Sequence, residues 1–147
     1  MLNLTINKFV KKVSIADKEI LRAGALIDDN FIKNEKKIFE LELNIVGEKE
    51  IKKINSVYRK KNSITDVLSF AWGEEKMIKT DCLGQVYICY PQIKRQAKEY
   101  KITIKEEFFR MFFHSVLHIL GFDHMKEGQA KKMFKKQEEL LKVFLVG

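Results

Sequence analysis

Hydrophobic and polar positions divide this chain into four strand-like and five helix-like segments. The clearest strand is I-F-E-L-E-L-N-I-V (38–46): Phe39, Leu41, Leu43 and Ile45 face one way, Glu40, Glu42 and Asn44 the other, and Gly47 ends it. Residues 2–6 alternate in the same way, V-L-S-F (67–70) is a short strand, and C-L-G-Q-V-Y-I-C-Y (82–90) is a longer one closed by Pro91. Helical spacing joins Ile20, Ala23, Ile27 and Phe31, behind a Ser14–Asp17 pair that resembles a capping box. Ile51, Ile54 and Tyr58 mark a short amphipathic helix, and a charged helix is expected over 92–99. Residues 104–120 are apolar nearly all round, with Phe108, Phe109, Phe112, Phe113, Val116 and Leu117 among them, so this helix belongs in the core. The last helix, 126–144, has a buried stripe of Ala130, Met133, Phe134, Leu140, Leu141 and Phe144 and a basic outer face of Lys131, Lys132, Lys135 and Lys136. Y-R-K-K-N-S-I-T-D (58–66) is a basic loop, and 73–81 is expected to be a mobile connection. The order β-α-β-α-β-β-α-α-α predicts a single domain over 1–147, one sheet with helices around it.

Composition changes this picture in one respect. A chain of 147 residues with 46% hydrophobic residues can build a core, and one proline with seven glycines leaves little room for long linkers. The formal net charge of +8 is the informative quantity. It favours a polyanionic partner such as nucleic acid, although solvated lysine-rich faces would give the same excess. No stretch approaches the roughly 18 apolar residues of a membrane span, and the N-terminal residues lack a secretion signal, so a cytoplasmic location is expected. Cys82 and Cys89 lie seven apart on one strand and so are expected on opposite faces, as reduced thiols.

The candidate chemistry lies in H-S-V-L-H-I-L-G-F-D-H (114–124), which contains every histidine of the chain. His114 and His118 are one helical turn apart on the same face. Gly121 supplies a residue that tolerates a helix end, after which the chain can return His124 toward the first two. Three neutral imidazoles would bind one zinc ion and leave its fourth position open, as in catalytic zinc sites. Nickel, copper or iron remain open on ligand type alone. The spacing matches that of metzincin proteases, but Ser115 stands where their general base, a glutamate, would be. Arg59 opens the run R-K-K and could grip a phosphate bidentately. Lys60, Lys61, Lys94 and Arg95 could follow an RNA backbone, and Tyr58, Phe70 and Trp72 could stack on bases, with core packing the better reading of Phe70. Asp66 and Asp123 could orient a ligand imidazole or satisfy loop amides.

The histidine run resembles the signature of the YbeY family of bacterial metal-dependent endoribonucleases. N-S-V-Y-R-K-K-N-S-I-T-D-V-L-S-F (55–70) and L-G-Q-V-Y-I-C-Y-P (83–91) are similar to two further family segments in the same order. The resemblance implies a small α+β domain, with a mixed sheet of about four strands and a metal-binding helix in the core. It implies His114, His118 and His124 as ligands of one Zn²⁺ ion and Arg59 as the catalytic arginine; the charge of the R-K-K run, not the resemblance, puts Arg59, Lys60 and Lys61 on the RNA. The implied activity is zinc-dependent, single-strand-specific cleavage in ribosomal RNA maturation, at the 16S rRNA 3′ end, and in ribosome quality control, with the ribosomal subunit as a partner. Two departures stand out: Ser115 where glycine is frequent, and Gln85 in place of an aspartate after Leu-Gly. Two other functions stay open: a zinc-dependent peptide or amide hydrolase with metzincin-like site geometry, and a non-catalytic ribosome-assembly factor whose zinc is structural.

Overall fold

The computed structural model describes residues 1–71, 82–122 and 127–147. Its elements are β1 (Leu2–Lys8), α1 (Asp17–Ile27), β2 (Phe39–Val46), α2 (Glu48–Arg59), β3 (Val67–Ala71), β4 (Cys82–Cys89), α3 (Tyr90–Tyr100), α4 (Ile104–Ile119) and α5 (Glu127–Val146). Among the described residues the strands form one mixed sheet in the order β1-β2-β4-β3. β1 runs parallel to β2 and β2 parallel to β4, while β3 is antiparallel to β4 at the edge. The α+β fold expected of this chain is therefore present.

The alternation within each strand sorts the sheet into two faces. Leu41, Leu43, Ile45, Val86 and Ile88 point into the main core with Phe108, Phe109, Phe112, Phe113, Val116 and Leu117 of α4, all buried. The expected core helix is thus α4, and α5 seals it with Met133, Leu140, Leu141 and Phe144. On the other face, α2 covers a smaller cluster of Val46, Ile51, Leu68 and Cys89.

Five local expectations need correction. Ala16, with no side-chain cap, starts α1, because the Ser14 backbone N–H and hydroxyl are both taken by Tyr90 Oη, at 3.0 and 2.8 Å. Phe31 lies beyond α1 in a wider π turn, Asp28–Ile32. Pro91 opens α3 rather than merely closing β4, since proline lacks only an N–H that a first helical turn leaves unpaired anyway. Phe134 is 62% exposed, because the buried stripe of α5 runs through Met133, Gln137, Leu140, Leu141 and Phe144. The cysteines are free, as expected, but not for the reason of alternation. A register irregularity at Glu40/Leu41 resets the pleat beside Cys82. Distance along the strand, about 23 Å over seven residues, keeps the two thiols apart. The expected connection at 73–81 lies outside the described residues.

Candidate metal and RNA site

Two features of α4 position its histidines. Thr103 caps the helix by accepting a hydrogen bond from Glu106 N at 3.0 Å, and Glu106 and Glu107 add favourable charge to its first turn. At the other end Gly121, with φ of 105°, occupies a conformation that side chains disfavour, and the helix stops after Ile119. Ile119 itself rests on the sheet at Gly84. A Cβ at Gly84 would lie 3.2 Å from Ile119 Cδ1 and well inside contact distance of the Phe70 carbonyl oxygen. The missing side chain lets the histidine end of α4 seat directly over β4 and β3.

His114 and His118 stand on one face of α4, their ring centroids 6.3 Å apart and both rings half-buried. Each Nδ1 has a carbonyl oxygen as partner: Gln137 Oε1 at 2.8 Å from His114, and Phe122 O at 3.2 Å from His118. Carbonyl oxygens only accept, so each Nδ1 donates and the lone pair of the neutral ring sits on Nε2. That is the arrangement in which an imidazole is ready to ligate a metal. Ser115, between them, is 1% exposed, and its Oγ has no hydrogen-bond partner among the described residues.

Behind His114 lies a polar network that the hydrophobic pattern does not announce. Gln137 Nε2 donates to Glu138 Oε2 at 3.3 Å, and Arg110 Nε donates to the same oxygen at 3.2 Å. Arg110 also pairs with Glu106 at 3.4 Å and with the buried Glu107 at 3.3 Å. Gln96 of α3 completes the coordination of Glu107 by donating at 2.7 Å. Burial pulls the Arg110 guanidinium toward losing its proton, but its bonds and charge contacts with Glu138, Glu107 and Glu106 outweigh that and hold it above its ordinary value. Only once Met133, Leu140, Leu141 and Phe144 are seen to be buried does Gln137 stand out as the polar member of their stripe.

Arg59 ends α2 on the other side of the sheet. Its Nη2 donates to Ser69 O at 2.8 Å, and its Cζ lies 4.9 Å from the centroid of the Phe70 ring. Tyr58 and Tyr87 both pack edge-on against Phe70, which is therefore a packed ring as expected. Lys60 caps α2 in the left-handed conformation, and Lys61 N bonds back to Asn55 O at 3.2 Å. Asn55, buried, donates to Ser63 O at 3.0 Å and so shapes the following loop. Arg59, Lys61, Ser63, Thr65 and Asn55 line an open pocket of about 400 Å³ there. Asp66 accepts from Thr65 Oγ1 on its carboxylate at 3.4 Å and, on its carbonyl, from Cys89 N of the neighbouring strand at 2.8 Å.

The structure brings His114 and His118 together, and it gathers Arg59, Lys60 and Lys61 at the end of α2. No hydrogen bond or ring contact joins the two groups among the described residues. His124, Asp123 and Trp72 lie outside the described residues. Among those described, no cluster of three histidine, cysteine or acidic side chains suited to a metal is found. None of the described helices is long and apolar enough to cross a membrane.

Comparison with known proteins converges on one family. The family profile described as "Endoribonuclease YbeY" matches residues 5–145. A Malacoplasma penetrans protein named "Endoribonuclease YbeY" is 39% identical over 140 residues, covering 95% of this chain and 91% of the relative. One of the same name from Finegoldia magna is 42% identical over 117 residues, covering 80% of this chain and 71% of the relative. A Thermotoga maritima protein whose solution structure is known superposes with a TM-score of 0.67 at 25% identity, over 97% of this chain and 89% of that one.

Proposed function

We propose the following function for a chain that belongs to the endoribonuclease YbeY family: metal-dependent cleavage of single-stranded RNA in ribosomal RNA maturation. The observation that carries the metal half of this reading is the matched pair of Nδ1 contacts, which leave both lone pairs of the His114–His118 face on Nε2. Two imidazoles one turn apart, each oriented by a carbonyl, are a donor set that fits Zn²⁺. His124 is proposed as the third ligand. When bound, the ion would polarise a phosphoryl oxygen or lower the pKa of a water.

The chain's own residues would do the rest. Arg59 keeps guanidinium N–H groups besides the one held by Ser69, and these suit a phosphate oxygen. Lys60 and Lys61 would neutralise neighbouring phosphates, in keeping with the net charge of +8. Ser115, buried and uncharged at neutral pH, is no candidate for a general base, which disfavours peptide hydrolysis. The 16S rRNA 3′ end is the proposed substrate, on a cytoplasmic ribosomal subunit and within ribosome quality control.

The test uses metal analysis and RNA cleavage together. Wild-type protein should carry about one zinc ion per chain and cleave single-stranded RNA in preference to duplex. His114→Ala and His118→Ala should lose both properties while keeping the circular dichroism of the wild type. Undiminished cleavage by folded, metal-free His114→Ala would refute the metal reading.

A further inference from the structure

We infer that Gln137 is a positioning residue for the metal site: from α5 it fixes the tautomer and ring angle of His114, and so sets how tightly that histidine holds zinc. The inference rests on the reading of His114 as a ligand.

Gln137 is a polar residue in a stripe whose other members are apolar, and it is 6% exposed. A buried amide costs free energy unless both its ends are bonded. Here both are: Oε1 meets His114 Nδ1 at 2.8 Å and Nε2 meets Glu138 Oε2 at 3.3 Å. An amide can rotate by half a turn and exchange its ends, so something must choose between them. Glu138 makes that choice. A carboxylate only accepts, so the NH₂ end must face it and the carbonyl end must face the histidine. Glu138 is held in turn by Arg110, whose Nε reaches its two oxygens at 3.2 and 3.4 Å and whose Nη2 reaches one at 3.3 Å.

Arg110 lies four residues before His114 on α4, so the two side chains rise from the same helix face. The hydrogen bonds therefore close a circuit between α4 and α5. Arg110 fixes Glu138, Glu138 fixes the Gln137 amide, and the amide fixes the ring four residues beyond Arg110. Every donor in the circuit points at an acceptor, which leaves His114 protonated at Nδ1. The chemistry also ranks replacements. Glutamate alone would set a second carboxylate against Glu138, so it is paired with Glu138→Gln, whose amide can donate to the new carboxylate and accept from Arg110; methionine keeps the length and offers no comparable acceptor.

The experiment compares wild type, Gln137→Met and the double variant Gln137→Glu/Glu138→Gln, each checked for folding by thermal melting. Zinc affinity is read by competition with a chromophoric chelator. The His114 tautomer is read in metal-free, ¹⁵N-labelled protein from two-bond ¹⁵N–¹H correlations. Zinc affinity should fall about 10–100-fold in Gln137→Met, with His114 losing its pure Nδ1–H pattern, while Gln137→Glu/Glu138→Gln binds as tightly as wild type or tighter. A purely structural role would lower the melting temperature and leave tautomer and affinity unchanged, and that result overturns the inference. If Gln137→Met does not fold, the Gln137→Glu/Glu138→Gln pair decides: a tenfold or greater loss of affinity in that variant overturns it. Wild type that takes up no zinc would remove the ligand reading and this inference with it. Wild type that binds zinc beside an equally tight Gln137→Met would remove the inference alone.

Discussion

Gly84→Ala should damage the fold out of proportion to one methyl group, because Gly84 lies where three parts of the site meet. The new Cβ would fall 3.2 Å from Ile119 Cδ1, 3.1 Å from the Phe70 carbonyl carbon, and closer still to its oxygen. A flexible Ile119 methyl can give way, but the Phe70 backbone belongs to β3 and can move only with its strand. Relief needs a shift of about an ångström, given the 3.5–4.0 Å at which carbon atoms pack best. Overpacking of this kind costs about 1–3 kcal/mol. Loosening one or two ladder hydrogen bonds between β3 and β4 adds about 1 kcal/mol each. A loss near 3 kcal/mol follows, or about 6–12 °C in melting temperature for a domain of this size. Urea unfolding followed by circular dichroism measures it, with Gly128→Ala as the control. Among the described residues nothing lies within 4 Å of a Cβ at Gly128, on helix α5, so alanine there should stabilise by up to about 1 kcal/mol. If Gly84→Ala unfolds within about 0.5 kcal/mol of wild type, the close seating of α4 on the β3–β4 pair is wrong.

Three further predictions probe other elements. Arg110→Met should destabilise by about 3 kcal/mol in urea, since it strips the guanidinium from the buried Glu107, with partial exposure of Arg110 (26%) keeping the loss below that of a fully buried pair; a change under 1 kcal/mol would show the network to be idle. Lys60→Gly should stabilise the fold by about 0.5–1 kcal/mol, because φ of 57° suits glycine, yet weaken RNA binding and flatten its log–log salt dependence by about 0.7 per lost phosphate contact, read from binding titrations over a salt series. Burial raises the Cys89 thiol above its ordinary value of 9.0, so the unfolded chain ionises first as the pH climbs. The stability it contributes is whole below that value and is lost as pH rises through the folded one, so wild type should weaken more steeply than Cys89→Ala between pH 8 and 10 in chemical denaturation.

What the sequence revealed, and what it hid, divides along the range of the interactions. The alternation of 38–46 exposed both faces of β2 because each position is decided by its own burial. The i, i+4 pair His114–His118 was legible for the same reason: helix geometry alone puts the two rings on one face. Long-range competition defeated the local rules elsewhere. Ser14 looks like a helix cap, but its hydroxyl is taken by Tyr90, 76 positions away. Phe134 looks like core, but the stripe of α5 turns on Gln137, whose polarity hides its burial until His114 is seen beside it. The strand order could not be read at all, since nothing in an isolated strand says that β4 will pair with both β2 and β3.

Arg59 shows how a residue proposed for a chemical role can also be needed by the fold. Cys89 N bonds to Asp66 O, so Asp66, Leu68 and Phe70 exchange hydrogen bonds with β4 and the carbonyl of Ser69 points to the other edge of β3, which no described strand pairs. An open edge invites pairing with other chains and frays easily. Arg59 caps it at 2.8 Å while its guanidinium lies against Phe70, so the same side chain that suits a phosphate also fastens the strand on which Gly84 and the end of α4 rest. Replacing it with alanine therefore removes the proposed phosphate donor and the edge clamp together. Lysine separates the two: it keeps the charge but loses the planar fork and the stacking surface. Equal stability of the alanine and lysine variants, with activity surviving only in the lysine one, would assign the residue to the phosphate. Activity that merely tracks stability across both would assign it to the edge.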